Sequence, residues 1–536
     1  MNAMTTPRTI QPWPIRRRGA GLPPLLRRRC CLVRSRSRRS RRVVTVISFR
    51  IPRLEGVTVR VRFAPSPTGS LHIGSVRTAL YNYFFARQNN GSLILRIEDT
   101  DQDRLVPGAI ESIYAGFDWV GVRWDEGPRE GGPHAPYIQS ERLSLYQKHA
   151  QELVNSGAAY FCFCSKERLA SVRAQQIARK EITRYDGLCR RIDPKEAAER
   201  AKSEPHVVRL KVPDDGTISV DDLVYGRVEW PLNAIEDQVI LKSDGFPTYH
   251  LAVVVDDHVM GITHIFRGED WLPSTPKHVL IFRAFGWELP PIAHFPNVLG
   301  ADGKKLAKRH GATKVEEFKT QGYLPEAMVN YLALVGWSPG TEEEIFSMDE
   351  LVARWRIDQV HRAGGKWDKA RLDWFNGMWI RKLSEDDLLG RLGDFVPAEW
   401  DREVIRSALP VLRERMRTLV EARNQVEFLF AEPAPYDPKL LVPKKKEPPE
   451  TLDVLVQSTV VLGHVQPFDR AAIRAAIEGI AASIGWSLAE VSQPIRVAIT
   501  GRTIGLPLFE SLELLGRERA LARIERAQDL LERGVD

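Results

Sequence analysis

The sequence lacks several features that would assign it at once to a class of protein. No apolar run reaches the roughly 20 residues that a helix needs to cross a membrane, and the longest runs, such as 251–255, have the length of a strand. The five cysteines are too few and too scattered for a disulfide framework, which favours a reducing, cytoplasmic setting. The sequence also has no G-x-x-x-x-G-K-[ST] loop, so a nucleotide would not be held as in P-loop enzymes.

Positive charge is concentrated at the start of the chain. The formal net charge is +8, but residues 1–56 contain fifteen arginines, no lysine and a single acid, Glu55. The remaining residues therefore carry a net charge of −6, so RNA would have to be bound by local basic patches. Residues 1–56 show no helical or strand period, and repulsion among the arginines predicts disorder.

Three interpretations of residues 1–56 stay open. The segment is rich in arginine, contains serine and is poor in acids, as organellar targeting segments are. It could also be an RNA-binding arm, or upstream sequence translated from a start codon assigned too early. We favour the third interpretation because a strand begins abruptly at Val57-Thr58-Val59-Arg60. N-terminal sequencing of the native protein would reject it by detecting residues before Val57.

An α/β unit is predicted directly after this segment. Residues 59–63 alternate as a strand, the turn residues APSPTGS follow, and apolar residues at helical spacing predict a helix over 73–88. A second strand is predicted over 92–97. A strand, a glycine-bearing turn and a helix that opens on it are typical of nucleotide-binding folds.

The rest of the chain changes character twice. Residues 157–236 read as an insertion, and from Tyr323 onward the pattern is mainly helical. The Pro/Lys-rich residues 432–450 predict a loop or linker. The other predicted elements are a charged helix over 166–180 and strands over 207–213, 238–241, 249–255 and 262–266.

Two distant segments carry residues suited to phosphate chemistry. In residues 65–75 a helix opens after a strand, so unpaired N–H groups and the helix dipole would face an anion. Gly69 and Gly74 would let a ligand approach the backbone, and His72 could donate N–H groups to a phosphate. Residues 302–311 form a glycine-flanked loop with four cations in six positions, which could stabilise charge on a transferring phosphate. Taken separately, a structural histidine and a solvated basic loop are the commoner explanations.

Together the two segments resemble the His-Ile-Gly-His and Lys-Met-Ser-Lys-Ser signatures of class I aminoacyl-tRNA synthetases. The departures are Ser75 for the final His, Ala307 for the first Ser, and Val253 where some relatives carry Asn; none removes a charged participant. The resemblance covers about residues 57–530. The stretches that narrow it to the bacterial-type glutamyl-tRNA synthetase family are RFAPSPTGSLHIGSVRTALYNY, LRIEDTDQDR, DGFPTYHLAVVVDDHVMGITHIFRGEDW, KKLAKRHGA and RVAITGRTIGLPLFESLELLG.

The resemblance implies an α/β fold with a class I Rossmann-type catalytic domain and a glutamate–tRNA ligase activity. Glutamate and ATP would give glutamyl-adenylate and pyrophosphate, with Mg²⁺ sharing the charge, and tRNA(Glu) would then receive the glutamate at its 3′ end. The implied domains are the halves of the catalytic domain (57–149 and 237–310), the acceptor-stem-binding insertion (150–236), the stem-contact fold (311–384) and the helical anticodon-binding domain (385–536), with 1–56 as an extension.

Glutamate has two carboxylates and one ammonium, so a selective pocket needs two cations and one anion. The family pattern supplies Arg62 and Arg267 as the cations and Glu98 as the anion, and an Arg62–Glu98 ion pair between adjacent strands is the competing structural interpretation. The other residues implied for glutamate are Ala64, Ser66 and Tyr249. Those implied for ATP are Thr68, Gly69, His72, Gly74, Asp270, Trp271 and Lys308. His72, Lys305 and Lys308 are expected to stabilise the transition state.

Three cysteines and four arginines are further candidates. Cys162, Cys164 and Cys189 have the spacing of a structural zinc site in some relatives, whose fourth ligand, a His, is replaced here by Arg191. The sequence leaves open whether Tyr185, Asp193 or His206 substitutes, or whether the three are ordinary reduced cysteines. The arginines expected on one helix, where they could contact tRNA or form a solvated face, are Arg413, Arg415, Arg417 and Arg423.

Three rival functions can be weighed. Glutaminyl-tRNA synthetase differs in its second motif and has a β-barrel anticodon region, whereas this tail is helical. The truncated enzyme that glutamylates a modified tRNA base lacks an anticodon domain, yet this chain continues about 220 residues past the lysine loop. A catalytically dead tRNA-binding module would not need the charged set described above. The expected partners are thus tRNA(Glu), glutamate and ATP, with no membrane, for a cytoplasmic monomer; mischarging of tRNA(Gln) stays undecided.

Overall fold

The computed structural model describes residues 58–533. The Arg-rich segment and its predicted disorder lie outside this range. The strands are short and are numbered in chain order: β1 (Arg60–Phe63), β2 (Ser92–Leu95), β3 (Ala159–Cys162), β4 (Val207–Leu210), β5 (Thr217–Asp222), β6 (Gly226–Pro231), β7 (Val239–Leu241), β8 (Ile265–Gly268) and β9 (Ile292–Phe295).

The helices before the lysine loop are interleaved with these strands, whereas those after it follow one another. The first set is α1 (Ile73–Gln88), α2 (Ala109–Trp119), α3 (Leu143–Asn155), α4 (Lys166–Ala178), α5 (Pro194–Ala201), α6 (Tyr249–Val259) and α7 (Thr275–Ala284). The second set is α8 (Val315–Thr320), α9 (Pro325–Leu334), α10 (Met348–Arg354), α11 (Lys369–Lys382), α12 (Glu385–Leu392), α13 (Arg402–Arg415), α14 (Glu421–Val426), α15 (Pro448–His464), α16 (Arg470–Ile484), α17 (Leu488–Thr500), α18 (Leu508–Leu515) and α19 (Arg517–Arg533).

The cleft-forming part of the described chain is built on parallel strands. β1 pairs with β2, and β8 pairs with β9, both in parallel. Thr263, just before β8, exchanges backbone and side-chain hydrogen bonds with Arg60, so β8 runs beside β1. The carboxyl ends of these strands therefore open on one cleft, the usual position of a ligand site in such sheets.

The residues predicted to form an insertion contact this sheet through a hairpin. β3, β4 and β7 form a small antiparallel sheet. β5 and β6 form an antiparallel hairpin, and the last residue of β5, Asp222, pairs with Ile292 at the start of β9. The insertion thus reaches the strand that borders the cleft.

The strand predicted over 249–255 is wrong, because these residues begin the helix α6. Every residue from Leu251 to Val255 is at most 2% exposed. A helix that is buried on all sides gives a continuous apolar run, and such a run cannot be told from a buried strand by its period. By contrast, α1 has the predicted bounds.

One apolar core lies mainly among the helices from α11 to α19 and includes Leu412, Met416 and Leu419. The prediction that the four arginines share one helix is wrong. α13 ends at Arg415 because Met416 takes an extended backbone and is buried in this core. Glu421 then caps the turn by accepting the N–H groups of Arg417 and Thr418 at 3.3 and 3.2 Å. Arg423 belongs to α14. Within residues 58–533, no helix has both the length and the apolarity required to span a membrane.

Candidate active site

His72 caps the helix that opens on the cleft. Its Nδ1 accepts the backbone N–H of Gly74 at 3.1 Å, so the proton of a neutral ring lies on Nε2. Burial, and secondarily the nearby Lys305, lowers the pKa of His72. His72 is therefore a neutral N–H donor at the start of α1, where unpaired backbone N–H groups and the helix dipole also favour an anion.

The lysine loop is joined to this turn through backbone hydrogen bonds. Thr313 O accepts from Ile73 N at 3.0 Å, and His72 pairs antiparallel with Lys314. The predicted convergence of the two distant segments is thus observed. Within the loop, the His310 ring accepts the N–H of Ala307 at 3.0 Å, and Lys305 forms an ion pair with Asp270.

The loop is also joined to the downstream fold. Leu299 pairs with Lys305 on one side. On the other side its N–H donates to Gly365 O at 2.9 Å, and its carbonyl accepts from Trp367 N at 2.7 Å. One short segment therefore connects the lysine loop to residues 365–367.

A cleft of about 1070 Å³ lies between the two segments. This volume is at the upper end of the range for small-molecule sites and suits a nucleotide together with an amino acid. All the residues predicted for catalysis, ATP and glutamate line it, namely Arg62, Ala64, Ser66, Thr68, Gly69, His72, Gly74, Glu98, Tyr249, Arg267, Asp270, Trp271, Lys305 and Lys308.

Arg62 and Glu98 do not pair with each other, so the competing interpretation from the sequence is wrong. Arg62 donates two hydrogen bonds to Asp257, at 2.9 and 3.1 Å. Arg96 donates to both Glu98, at 3.0 Å, and Asp257, at 2.8 Å. Burial alone would raise the pKa of Asp257, but the two guanidinium groups outweigh it and lower that pKa. Burial raises the pKa of Glu98 against the opposing effect of Arg96.

Arg267 differs because it has no acidic partner. It is 6% exposed, and within residues 58–533 no carboxylate oxygen lies within 4.0 Å of its guanidinium. Its N–H groups donate instead to His294 Nε2 at 2.9 Å, His278 Nδ1 at 2.9 Å and Thr275 Oγ1 at 3.0 Å. Burial lowers the pKa of Arg267. A buried cation held only by neutral acceptors leaves a positive charge for a ligand to compensate.

An aromatic pair lies beside Arg267. The rings of Tyr249 and Trp271 are 4.1 Å apart, and Trp271 is partly exposed. Burial raises the pKa of Tyr249 to about 12, so its hydroxyl stays protonated, and it accepts from Arg267 at 3.3 Å. The pair gives the cleft a flat apolar wall.

Five residues that hold the pocket side chains in place were not predicted from the sequence. These are Arg96, Asp257, Asp222, His278 and His294. Two signals were present: the apolar run before Asp257 ends in two acids, and His294 occupies a position within the otherwise apolar strand IAHF. Neither signal indicates which residue forms the hydrogen bond, because each hydrogen-bond partner is distant in sequence.

The three cysteines form a compact cluster. Their Sγ atoms lie within 4.8 Å of one another. The Tyr185 hydroxyl lies 3.5 Å from Cys162 Sγ and 3.6 Å from Cys164 Sγ. Asp193 caps α5, and neither Asp193 nor His206 belongs to the group of ligand atoms that lie within 4.8 Å of one another.

Comparisons with known proteins agree with this geometry. Residues 58–374 match the family model described as tRNA synthetases class I (E and Q), catalytic domain, and residues 387–528 match an anticodon binding domain. A glutamate–tRNA ligase of Thermus thermophilus is 46% identical over 475 residues, covering 88% of this chain and 99% of that protein. One of Dehalococcoides mccartyi is 44% identical over 481 residues, covering 88% and 97%.

A solved structure extends the likeness to three dimensions. The crystal structure of a glutamate tRNA ligase from Elizabethkingia meningosepticum, in complex with its amino acid, has a TM-score of 0.80 at 36% identity, covering 89% of this chain and all of that one. The predicted fold class and family are therefore confirmed. The chain belongs to the glutamate–tRNA ligase family of class I tRNA synthetases.

Proposed function

We propose that this chain activates glutamate with ATP and transfers it to tRNA(Glu). The observation that carries the proposal is the positive charge of Arg267, which no carboxylate of the described residues compensates. His72 and Lys308 line the same cleft. An amino acid with a net negative charge compensates that cation, whereas a neutral amino acid such as glutamine leaves part of the charge unmatched.

The pocket residues divide the charges of glutamate among them. In our proposal Arg267 and Arg62 meet the two carboxylates, and the Glu98 carboxylate meets the ammonium. The charge of Arg62 is already balanced by Asp257. Its remaining N–H groups would therefore orient a carboxylate of glutamate but would not add an unbalanced positive charge to the pocket. Ala64, Ser66 and Tyr249 complete the wall.

The proposed chemistry needs no side-chain nucleophile. The α-carboxylate of glutamate attacks the α-phosphate of ATP, and pyrophosphate leaves; the tRNA ribose then attacks the resulting acyl-adenylate. ATP enters with Mg²⁺ on its phosphates, so the ion is part of the substrate. His72 Nε2–H and the ammonium groups of Lys305 and Lys308 would stabilise charge that develops on the phosphates. Thr68, Gly69, Gly74, Asp270 and Trp271 would hold the nucleotide.

We also propose that the cysteine cluster holds one structural zinc, with Tyr185 as the fourth ligand. Zn–S bonds of about 2.3 Å and a Zn–O bond of about 2.0 Å in a tetrahedron require O···S separations of roughly 3.5 Å. The observed separations of 3.5 and 3.6 Å fit this requirement. The N–H of Cys189 donates to the same oxygen at 2.8 Å, which would stabilise a phenolate.

Metal analysis tests the zinc proposal. Purified protein should contain one zinc per chain, Cys164→Ser should lose it, and Tyr185→Phe should release it to a chelator faster than the unmodified protein does. Cysteine thiols that stay fully reactive in the presence of added zinc would contradict the proposal.

For tRNA we propose contacts from the insertion, from the fold over 311–384 and from the helical region after it. Arg415, Arg417 and Arg423 are exposed, so they remain candidates although they do not share a helix, whereas Arg413 is half-buried. If one of these arginines contacts a phosphate, its removal should weaken binding of tRNAs of different sequence by about the same factor.

Pyrophosphate exchange tests the proposed activity. With tRNA(Glu) present, glutamate should support exchange at least about 10²-fold faster than glutamine. Faster exchange with glutamine would favour the glutaminyl alternative, and tRNA binding without exchange would indicate a non-catalytic protein. Parallel charging of tRNA(Glu) and tRNA(Gln) would show which tRNAs accept the product.

A further inference from the structure

Two buried histidines hold the guanidinium of Arg267 from different sides. Arg267 Nε donates to His294 Nε2 at 2.9 Å, and Arg267 Nη1 donates to His278 Nδ1 at 2.9 Å. A guanidinium has only donors, so each of these ring nitrogens must be unprotonated and must offer its lone pair. Burial lowers the pKa of both histidines, in agreement with neutral rings.

The tautomer of His294 is selected by Asp222. Asp222 Oδ2 lies 2.6 Å from His294 Nδ1, and a carboxylate accepts only, so the ring proton lies on Nδ1. The lone pair of Nε2 is thereby turned toward Arg267. Asp222 and His294 are 4% and 0% exposed, so water cannot replace either contact.

Asp222 is itself held by the backbone. Its Oδ1 accepts the N–H groups of Val224 and Tyr225, each at 2.9 Å, and its Oδ2 accepts the N–H of His294 at 3.1 Å. These bonds fix the carboxylate at the end of β5, in the hairpin of the insertion. The chain of contacts therefore runs from the insertion through His294 to the pocket.

We propose that Asp222 and His294 are positioning residues for glutamate, because they fix the guanidinium of Arg267 in the orientation that binds a carboxylate. The inference rests on the proposed role of Arg267. Neither residue lines the cleft, so neither is expected to touch the substrate.

Replacing Asp222 by Asn should break the relay with little change in shape. The Asn oxygen will stay with Val224 and Tyr225, because the reverse orientation would set the NH₂ group against those two N–H groups, whereas this one sets it against the single N–H of His294. Its NH₂ then faces His294 Nδ1, which moves the ring proton to Nε2. Nε2–H would oppose the Arg267 Nε–H, so the guanidinium must turn or lose a hydrogen bond.

The test compares KM for glutamate with KM for ATP in pyrophosphate exchange, with tRNA(Glu) in every reaction. Asp222→Asn should raise KM for glutamate by about 10–100-fold, as expected for the loss of one hydrogen bond to a charged group. KM for ATP and kcat should change less than about threefold. Asp221→Asn is the matched control, since Asp221 is the exposed neighbour of Asp222 and should change none of these constants by more than about twofold.

A double-substitution cycle separates a relay from a general structural role. In His294→Gln the amide can turn its oxygen to Arg267 whatever stands at 222, so Asp222→Asn should then raise KM for glutamate less than about threefold. An equal effect of Asp222→Asn in both backgrounds, or an equal rise of both KM values, would overturn the inference. If Asp222→Asn does not fold, His294→Gln and His294→Phe carry the test: KM for glutamate should be at least about tenfold higher with Phe, and equal values would refute the relay.

Arg267→Gln separates failure of the inference from failure of the proposed function. If Arg267→Gln leaves KM for glutamate unchanged, the proposed pocket is wrong. If Arg267→Gln raises that KM but neither Asp222→Asn nor His294→Phe does, the pocket stands and the relay is wrong.

Discussion

The two pocket arginines should respond in opposite ways to the same substitution. Arg62 and Arg267 are 3% and 6% exposed, so both guanidinium groups are desolvated. Arg62 shares Asp257 with Arg96, whereas Arg267 is held by neutral histidine and threonine acceptors. Substitution with Gln removes the positive charge in each case, but the partners that lose it differ: a buried carboxylate for Arg62 and neutral acceptors for Arg267.

The expected changes in the free energy of unfolding follow from these partners. Arg62→Gln leaves Asp257 with one guanidinium instead of two, and breaking a buried ion pair costs about 3–5 kcal/mol; the surviving Arg96 contact favours the lower figure, about 3 kcal/mol. Arg267→Gln leaves no buried charge unpaired. It loses hydrogen bonds to neutral acceptors but also removes the cost of burying a cation, so the free energy of unfolding should change by about 1 kcal/mol or less.

Stabilisation by bound glutamate should depend on Arg267, although Arg267 contributes little to the stability of the free protein. At about 100 times its Kd, glutamate should stabilise the unmodified protein by about 2.7 kcal/mol through mass action. The same concentration should give Arg267→Gln no measurable stabilisation.

Urea unfolding with and without glutamate measures both quantities. The exposed pair Asp386–Arg406 provides the control, since Arg406→Gln should cost less than about 1 kcal/mol. Equal destabilisation by Arg62→Gln and Arg267→Gln, or full stabilisation of Arg267→Gln by glutamate, would refute the reasoning.

Three further outcomes are expected. Lys308→Ala should slow pyrophosphate exchange by roughly 10²–10³-fold while the Kd for glutamate stays within threefold, with the exposed Lys319→Ala as control; equal exchange rates would contradict this. Gly300→Ala would place a methyl group 2.6 Å from the His310 ring, so it should lower kcat through the lysine loop and spare KM for glutamate, which steady-state kinetics can check. Burial lowers the pKa of His264 to about 4, below its unfolded value, so the unfolded chain binds the proton first and stability falls as pH drops below about 6.5. His264→Phe should therefore lose about 1 kcal/mol less than the unmodified protein between pH 7.5 and 5.5 in urea titrations, and identical losses would exclude the effect.

Local patterns predicted the parts of the fold that local physics decides. The helix over 73–88 has the predicted bounds because a turn, a capping side chain and a period of apolar residues all lie within twenty positions. The run 251–255 misled because burial on every side removes the period that separates a helix from a strand. The break after Arg415 was missed because it depends on Met416 entering a core built from distant helices.

The cleft residues were predicted from family motifs, but their partners were not. Arg62 meets Asp257 from 195 positions away, and His294 meets Asp222 from 72 positions away. Such pairs depend on which strands and helices pack together. A single sequence has no signal that links them.

The segment around Leu299 has a mechanical consequence. Its peptide groups tie Lys305 on one edge and residues 365–367 on the other, and all of these ties are main-chain bonds. Among replacements at 299, proline would remove one of these bonds, because it lacks the N–H that donates to Gly365. A displacement of residues 365–367 would therefore be transmitted through main-chain hydrogen bonds to Lys305, which lines the cleft.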